Sequence, residues 1–111
     1  MTAPLFELVS AFIANEGWTA TPIEGLPALR MQFRSQHGPL TTFVRVRESH
    51  GQIVFYTQCP IPVPADRRAA VTEFVTRANY GMIVGNFELD LTDGDLRFKT
   101  CLDLGPAPAL A

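Results

Sequence analysis

Basic residues that alternate with apolar ones form the clearest chemical pattern in this 111-residue chain. Six of the nine lysine and arginine residues occupy such positions: Arg30, Arg34, Arg45, Arg47, Arg97 and Lys99. Because successive side chains of a strand point to opposite faces of a sheet, this spacing predicts an antiparallel sheet with one apolar face and one basic face. Phe43 belongs to the basic face, and Tyr56 joins it if its strand has the right phase.

A basic face that carries aromatic side chains could bind two kinds of ligand. It suits an acidic, partly apolar peptide through charge complementarity, and a single-stranded nucleic acid through stacking and phosphate contacts. No RNP1-like run and no helix-turn-helix pattern supports nucleic acid. A structural interpretation is also open, in which arginine stems cover their neighbours and charges pair across strands.

Catalytic and metal chemistry have little support in the sequence. A structural zinc site needs four Cys or His ligands, usually in closely spaced pairs. The chain has four such residues, but none are closely paired: His37, His50, Cys59 and Cys101. Cys101 shares one side of its predicted strand with two basic residues, a setting that can activate a thiol, whereas a semi-buried inert thiol is the alternative for both cysteines. Because no H-E-x-x-H, G-x-S-x-G, P-loop or G-x-G-x-x-G motif occurs, we expect neither an enzyme nor a bound metal or cofactor.

The acidic stretch from Asp90 to Asp95 fits a calcium loop poorly. An EF-hand that began at Asp90 would need an oxygen ligand at its fifth position and a glutamate at its twelfth, where this chain has Gly94 and Cys101. Asp93-Gly94 between two alternating apolar runs instead predicts a β-hairpin turn.

Composition is typical of a single globular domain. The chain has a formal charge of −2, with 18% charged and 47% apolar residues, so no bulk charge draws it to nucleic acid or to an anionic membrane. No uninterrupted apolar run exceeds four residues, and the N-terminus lacks the order of a signal peptide. We therefore expect a cytoplasmic protein without a membrane partner, with one domain at residues 1–104 and a mobile tail at residues 105–111.

Two helices and about five strands account for the remaining pattern. Residues 4–17 and 65–80 repeat apolar positions at helical spacing. Between the two helices the apolar residues repeat every second position, and glycines and prolines interrupt the chain at intervals. This pattern predicts three strands and a further edge strand at 18–22. Ser49-His50-Gly51 predicts a hairpin connection. The order α-β-β-β-α-β-β indicates an α+β domain with one antiparallel sheet and helices mainly on one face.

Each helix is expected to bury one apolar face. In the first helix this face consists of Leu5, Leu8, Val9, Phe12 and Ile13. In the second it consists of Val71, Phe74, Val75 and Ala78.

The segment Arg77-Ala-Asn-Tyr-Gly-Met-Ile-Val-Gly-Asn-Phe-Glu-Leu-Asp, followed by Asp93-Gly-Asp-Leu-Arg-Phe-Lys-Thr, resembles the YbjN-like family of bacterial domains. In its most specific part, residues 79–100, an asparagine ends a helix, a Gly-Asn-Phe step begins a strand and an acidic Asp-Gly hairpin follows. Members are labelled sensory transduction regulators and resemble type III secretion chaperones in fold, with the order α-β-β-β-α-β-β-α and a tendency to dimerise. The final helix of that order is missing here, so the face that it would cover is expected to be bare or covered by another subunit.

The resemblance implies a non-enzymatic chaperone-like or adaptor protein that binds a segment of a partner protein as a homodimer. The candidate contacts are two helix residues, Phe6 and Phe12, or the sheet residues Arg30, Phe43, Arg45, Arg47, Arg97 and Lys99. Two other functions stay open. One is a nucleic-acid-associated module that uses the basic face, and the other is a small cysteine enzyme that uses Cys59 or Cys101.

Overall fold

A computed structural model describes residues 3–105. Its elements are α1 (Pro4–Asn15), β1 (Ala20–Pro22), β2 (Ala28–Ser35), β3 (Gly38–Arg47), β4 (Gln52–Gln58), α2 (Arg68–Asn79), β5 (Asn86–Leu89) and β6 (Leu96–Asp103). The strands form one antiparallel sheet in the order β1-β2-β3-β4-β6-β5. The predicted α+β class is confirmed, and the short edge strand β1 brings the number of strands to six. None of the helices in this part of the chain has the length and apolar character needed to cross a membrane.

The core lies between α1 and one face of the central strands. Leu5, Val9 and Ile13 form one stripe of the helix and pack on five buried residues of β2, β3 and β4: Leu29, Met31, Val44, Val46 and Ile53. Leu8 and Phe12, which were expected in the same apolar face, each leave 59% of their surface exposed. They lie on the flank of the helix, and the sheet covers a narrower stripe than the sequence pattern suggests.

Glu48 fastens the beginning of α1 to the connection between β3 and β4. Its Oε1 accepts the backbone N–H of Leu5 at 3.1 Å, and its Oε2 accepts that of Phe6 at 2.7 Å. The residue at the N-cap position, Ala3, makes no side-chain cap. A carboxylate from a distant part of the chain therefore satisfies N–H groups that would otherwise have no partner in the helix.

The predicted hairpin between β3 and β4 is confirmed. A single 3-10 turn, Glu48–His50, and Gly51 connect the two strands. The residue after β6 is hydrogen-bonded to this connection, since the N–H of Leu104 donates to the Gly51 carbonyl at 2.8 Å.

The second helix packs along the edge strand β5, and it is less buried than expected. Val75 is the buried residue of α2, whereas Phe74, expected in the same face, is 64% exposed. In the first turn of α2, Arg68 Nε donates to the Val63 carbonyl at 3.1 Å. The N–H of Val63 donates to the Gly94 carbonyl at 2.8 Å, so the connector before α2 is fixed to the β5–β6 turn.

One outer edge of the sheet is only partly covered. Ala20–Pro22 of β1 pairs with β2 from Leu29 to Met31. Over residues 3–105, no strand pairs with the outer edge of β2 from 32 to 35. Trp18 contacts Phe33 edge to face, with 6.3 Å between the ring centres.

The C-terminal predictions lie largely outside the described part of the chain. Of the predicted tail, residues 105–111, the structure describes Gly105 alone. The expectation that no helix follows β6 also falls on residues 106–111, outside the described residues.

Candidate binding surface

Strand register assembles the predicted basic face. Arg30 lies opposite Phe43, Phe43 opposite Tyr56, and Tyr56 opposite Lys99. A row of cation, two aromatic rings and a second cation therefore crosses four strands. The phase of Tyr56, which the sequence left open, places it on this face. Alternation along the strands adds the other predicted cations to the same face: Arg34, Arg45, Arg47 and Arg97.

The half of this face on β5 and β6 is neutralised within the chain. Glu88 Oε1 accepts a hydrogen bond from Arg97 Nε at 2.8 Å, and Oε2 accepts one from Lys99 Nζ at 2.9 Å. The Arg97 guanidinium also lies 4.3 Å from the centre of the Tyr56 ring. The hydrogen bond from Lys99 is the largest cause of a lowered Glu88 pKa; partial burial opposes it, and Arg97 adds to it. Arg97 and Lys99 are therefore already paired with a carboxylate of the same chain.

We expect Glu88→Gln to flatten the acid side of the stability profile. A carboxyl group whose pKa is lowered by folding adds stability above its unfolded pKa, and that stability is lost as the pH falls through the lower folded value. The wild-type protein should therefore lose stability as the pH falls from near the ordinary value of 4.5. Urea unfolding at several pH values between about 5 and 3 measures this loss.

A matched control for this variant is Glu73→Gln. Glu73 pairs with Arg77 on α2 at 3.2 Å, but both side chains are largely exposed. Exposed pairs contribute little, so Glu73→Gln should keep the acid slope of the wild type. Identical slopes for all three proteins would show that Glu88 is not paired in solution.

The half of the basic face on β2 and β3 is not neutralised. Arg30, Arg34 and Arg45 are exposed, and none of them forms an ion pair with a carboxylate of residues 3–105. Arg47 instead donates to Gln52 Oε1 at 2.9 Å.

Gln52 links this half of the face to β6. Its amide donates to Asp103 Oδ2 at 3.0 Å. The Gln52 hydrogen bond is the main cause of a lowered Asp103 pKa, and the backbone N–H of Gly105 adds to it. The Asp103 carboxylate is therefore held by an amide and a backbone N–H, and Arg47 reaches it only through Gln52.

A shallow depression of about 430 Å³ lies beside these groups. Its lining consists of Arg45, Arg47, Gln52, Val54, Tyr56, Lys99 and Cys101. Val54 is 7% exposed and Ala28, opposite Arg45, is 3% exposed, although α1 packs on the other face. Arg45 lies opposite both residues, and the aliphatic stem of a long side chain can cover apolar neighbours of this kind. The surface thus combines guanidinium groups with an apolar and aromatic floor, which suits carboxylates carried next to apolar groups.

The two candidate phenylalanines lie on the opposite side of the sheet. Phe6 is partly buried against the core, whereas Phe12 is 59% exposed. Six residues of helix separate them by about a third of a turn, so they face different directions. The helix candidates and the sheet candidates therefore belong to separate surfaces.

The remaining sequence candidates are not brought together. Cys59 is half-buried just beyond β4, and Cys101 is exposed on β6. Within residues 3–105, no group of three or more His, Cys, Asp and Glu side chains could hold a metal ion.

The acidic stretch forms the predicted hairpin turn. The N–H of Thr92 donates to Asp90 Oδ1 at 2.8 Å, and the N–H of Asp95 donates to Asp93 Oδ1 at 2.9 Å. These short local bonds shape the connection between β5 and β6.

An apolar loop that the sequence pattern did not predict connects α2 and β5. Within this loop, Tyr80–Val84, the side chains of Tyr80, Ile83 and Val84 are 91%, 96% and 72% exposed. Asn79 closes the loop, because its amide donates to the Phe87 carbonyl at 3.0 Å and accepts the Phe87 N–H at 2.7 Å. The missed signal is three consecutive apolar residues, Met-Ile-Val, enclosed by two glycines at a point where no strand begins.

An apolar groove of about 460 Å³ lies on the helix side of the sheet. Its apolar lining consists mainly of Leu40, Ile61, Phe87, Leu96 and Phe98, with Cys59 beside them. Phe87 and Phe98 meet edge to face, with 5.1 Å between the ring centres.

Comparison with known proteins places these features in a family. The YbjN family model, described as "Putative bacterial sensory transduction regulator", matches residues 6–110. Among solved structures, the chain is similar to the one titled "Crystal structure of YbjN, a putative transcription regulator from E. coli", with a TM-score of 0.70 and 12% identity over 96% of this chain and 77% of that chain. At this identity the likeness concerns the fold. None of the curated proteins matches. Because the family model spans nearly all of the sequence, the chain belongs to the YbjN family.

Proposed function

We propose that this protein is a regulatory adaptor that holds an acidic, partly apolar segment of a partner protein on the β2–β3 half of its basic face. The observation that carries this proposal is the set of exposed guanidinium groups of Arg30, Arg34 and Arg45, which make no ion pair with a described carboxylate. Arg30 lies opposite Phe43, and Arg45 lies on the same face two residues beyond Phe43. The family description as a regulator supports a non-enzymatic role.

The chemistry of this surface favours carboxylates. A guanidinium group can donate two parallel hydrogen bonds to one carboxylate, and such bonds are stronger than neutral ones. Phe43 and Tyr56 lie opposite each other on adjacent strands and offer contact area for apolar side chains of the same segment. Charges at the rim of such a surface mainly speed association and select against basic partners.

A single-stranded nucleic acid is the second candidate ligand. The neighbouring rings of Phe43 and Tyr56, with Arg30 and Lys99 at the ends of the row, could stack on bases and neutralise phosphates. Two observations favour a peptide instead. No RNP1-like run or helix-turn-helix pattern occurs in the sequence, and the guanidinium groups of Arg30, Arg34 and Arg45, unpaired within residues 3–105, suit the separate carboxylates of a peptide.

The double variant Arg45→Glu/Arg47→Glu tests the surface. The probe is a fluorescent peptide in which Asp or Glu alternates with Phe or Leu, measured by anisotropy. We expect its affinity to fall at least about tenfold, because each reversal replaces an attraction by a repulsion. Arg67→Glu/Arg77→Glu on the α2 side changes the net charge equally and should leave the affinity within about twofold.

Three results would contradict the proposal. Equal loss in both double variants would indicate general charge attraction, and no binding of the peptide would exclude the surface. Binding of a single-stranded oligonucleotide that weakens steeply with salt and is lost in Arg45→Glu/Arg47→Glu alone would favour the second candidate. Circular dichroism of each variant checks that the fold is intact.

A further inference from the structure

The backbone groups of β2 point alternately to β3 and to the outer edge of the sheet. The N–H of Val46 on β3 donates to the Pro27 carbonyl at 2.9 Å. On the outer side, the N–H of Ile23 donates to the Ala28 carbonyl at 3.0 Å. Because both backbone groups of a residue in an antiparallel ladder point the same way, and the direction alternates, odd-numbered residues of β2 bond to β3. Even-numbered residues, including Arg34, direct their backbone groups outward.

Arg34 is unpaired in both its backbone and its side chain. Its N–H and its carbonyl oxygen have no hydrogen-bond partner among residues 3–105, because β1 ends its pairing with β2 at Met31. Its guanidinium group forms no ion pair with a carboxylate of the same residues. A depression of about 520 Å³ lies at this end of β2 and is lined by Gln32, Phe33, Arg34, Ser35, Gly38 and Pro39. The open edge therefore has room for another chain.

The two faces of the sheet differ in chemistry at this edge. Side chains that lie directly opposite each other on neighbouring strands share a face. A side chain opposite Arg34 would lie on the basic face, and its neighbours along the added strand would lie on the other face, beside the exposed rings of Phe33 and Trp18. The edge thus fits a strand that alternates acidic and apolar residues. A second copy fits poorly, because edge-to-edge pairing would bring two Arg34 side chains together.

We propose that part of the acidic segment pairs with β2 at Arg34 as an additional antiparallel strand. This arrangement rests on the proposed adaptor function, because the added strand belongs to the same segment that the basic face holds. Arg34 and the acidic residue opposite it would exchange two backbone hydrogen bonds and pair their side chains. Arg45 lies opposite Ala28, six residues from Arg34 along β2, which corresponds to about 20 Å. A segment of about ten extended residues can therefore contact both the edge and Arg45.

Backbone methylation of the peptide tests this pairing without changing a side chain. The probe is a fluorescent peptide of about ten residues that alternates Asp and Leu. Because Arg34 points outward, the Asp residue opposite it directs its N–H toward β2, whereas the adjacent Leu residues direct theirs away. N-methylation of the Asp residues should weaken binding at least about tenfold, and N-methylation of the Leu residues should change it by less than about threefold. Fluorescence anisotropy measures both affinities.

Two variants and one amide test the same pairing on the protein. Arg34→Ala removes the charge and keeps the N–H, whereas Arg34→Pro removes both. An edge strand tolerates proline where the N–H points outward, so Arg34→Pro should fold and should bind the peptide at least about fivefold more weakly than Arg34→Ala. In the wild-type protein, saturating peptide should slow hydrogen exchange of the Arg34 amide, which is unprotected without it.

The outcomes separate this arrangement from the adaptor function. Equal affinities for the two methylated peptides, equal affinities of the two Arg34 variants, or an Arg34 amide that exchanges as before would overturn the added strand. If Arg45→Glu/Arg47→Glu still weakened binding, the adaptor function would stand. A larger loss from methylated Leu than from methylated Asp would also contradict the antiparallel pairing. Binding that responds to methylated Asp and to Arg34→Pro, but not to Arg45→Glu/Arg47→Glu, would support the strand and overturn the role of the basic face. No binding of the peptide would overturn both.

Discussion

Gly94→Ala should lower the free energy of unfolding by about 2–4 kcal/mol. Gly94 has a φ of +82°, a conformation that costs an alanine energy, and a Cβ at this position would overlap the carbonyl oxygen of Val63. To relieve the overlap the two segments must separate, which breaks the 2.8 Å hydrogen bond from Val63 to Gly94. The connector before α2 would then lose its attachment to the β5–β6 turn.

Gly81→Ala is the matched control for this variant. Gly81 has the same φ of +82°, but no atom lies within 4 Å of the position that its Cβ would occupy. Gly81→Ala should therefore lower the free energy of unfolding only by the cost of the backbone strain, about 1–2 kcal/mol. Urea unfolding of both variants measures the difference. Equal destabilisation would show that the Val63 contact adds nothing to the strain.

Glu48→Ala should lower the free energy of unfolding by about 1–3 kcal/mol, because it leaves two N–H groups at the beginning of α1 without an acceptor. The loss also removes a negative charge from the positive end of the helix dipole. Glu48→Gln, which keeps one acceptor oxygen and no charge, should fall between the wild type and Glu48→Ala. Glu16→Ala, at the exposed far end of α1, should have little effect.

Hydrogen exchange locates this effect within the molecule. In Glu48→Ala the amides of Leu5 and Phe6 should exchange much faster than in the wild type, while the central strands keep their relative protection. Unchanged exchange at these two amides would mean that the carboxylate does not hold the helix in solution.

The sequence predicted the two-faced sheet well, because a period of two determines which face each side chain occupies. Arg30, Phe43 and Arg45 could be placed together without knowledge of strand order. The neutralisation of Arg97 and Lys99 could not be predicted, since it depends on the register that brings Glu88 beside both of them. The role of Glu48 was hidden for a similar reason: its partner, Leu5, lies 43 residues away along the chain.

Helical periodicity predicted more burial than the fold provides. Leu8, Phe12 and Phe74 have apolar spacing, yet α1 covers only the central strands and α2 lies along β5. Helical spacing shows that a helix has an apolar face, but it does not show how much of that face the sheet buries. The apolar loop was missed because it has neither helical nor strand period, and its one mark in the sequence is the three apolar residues between two glycines.

The incomplete edge of β2 has a consequence for aggregation. From Gln32 to Ser35 the outward backbone groups have no partner strand in the described chain, so this stretch is a template on which a foreign strand could extend the sheet. Pro22 ends the neighbouring edge strand and Arg34 places a charge within the open stretch, and both features oppose such growth. Arg34 therefore opposes edge-to-edge pairing of the sheet and also adds charge to the basic face. Replacing it with an uncharged residue would remove this protection and make the protein more prone to aggregate.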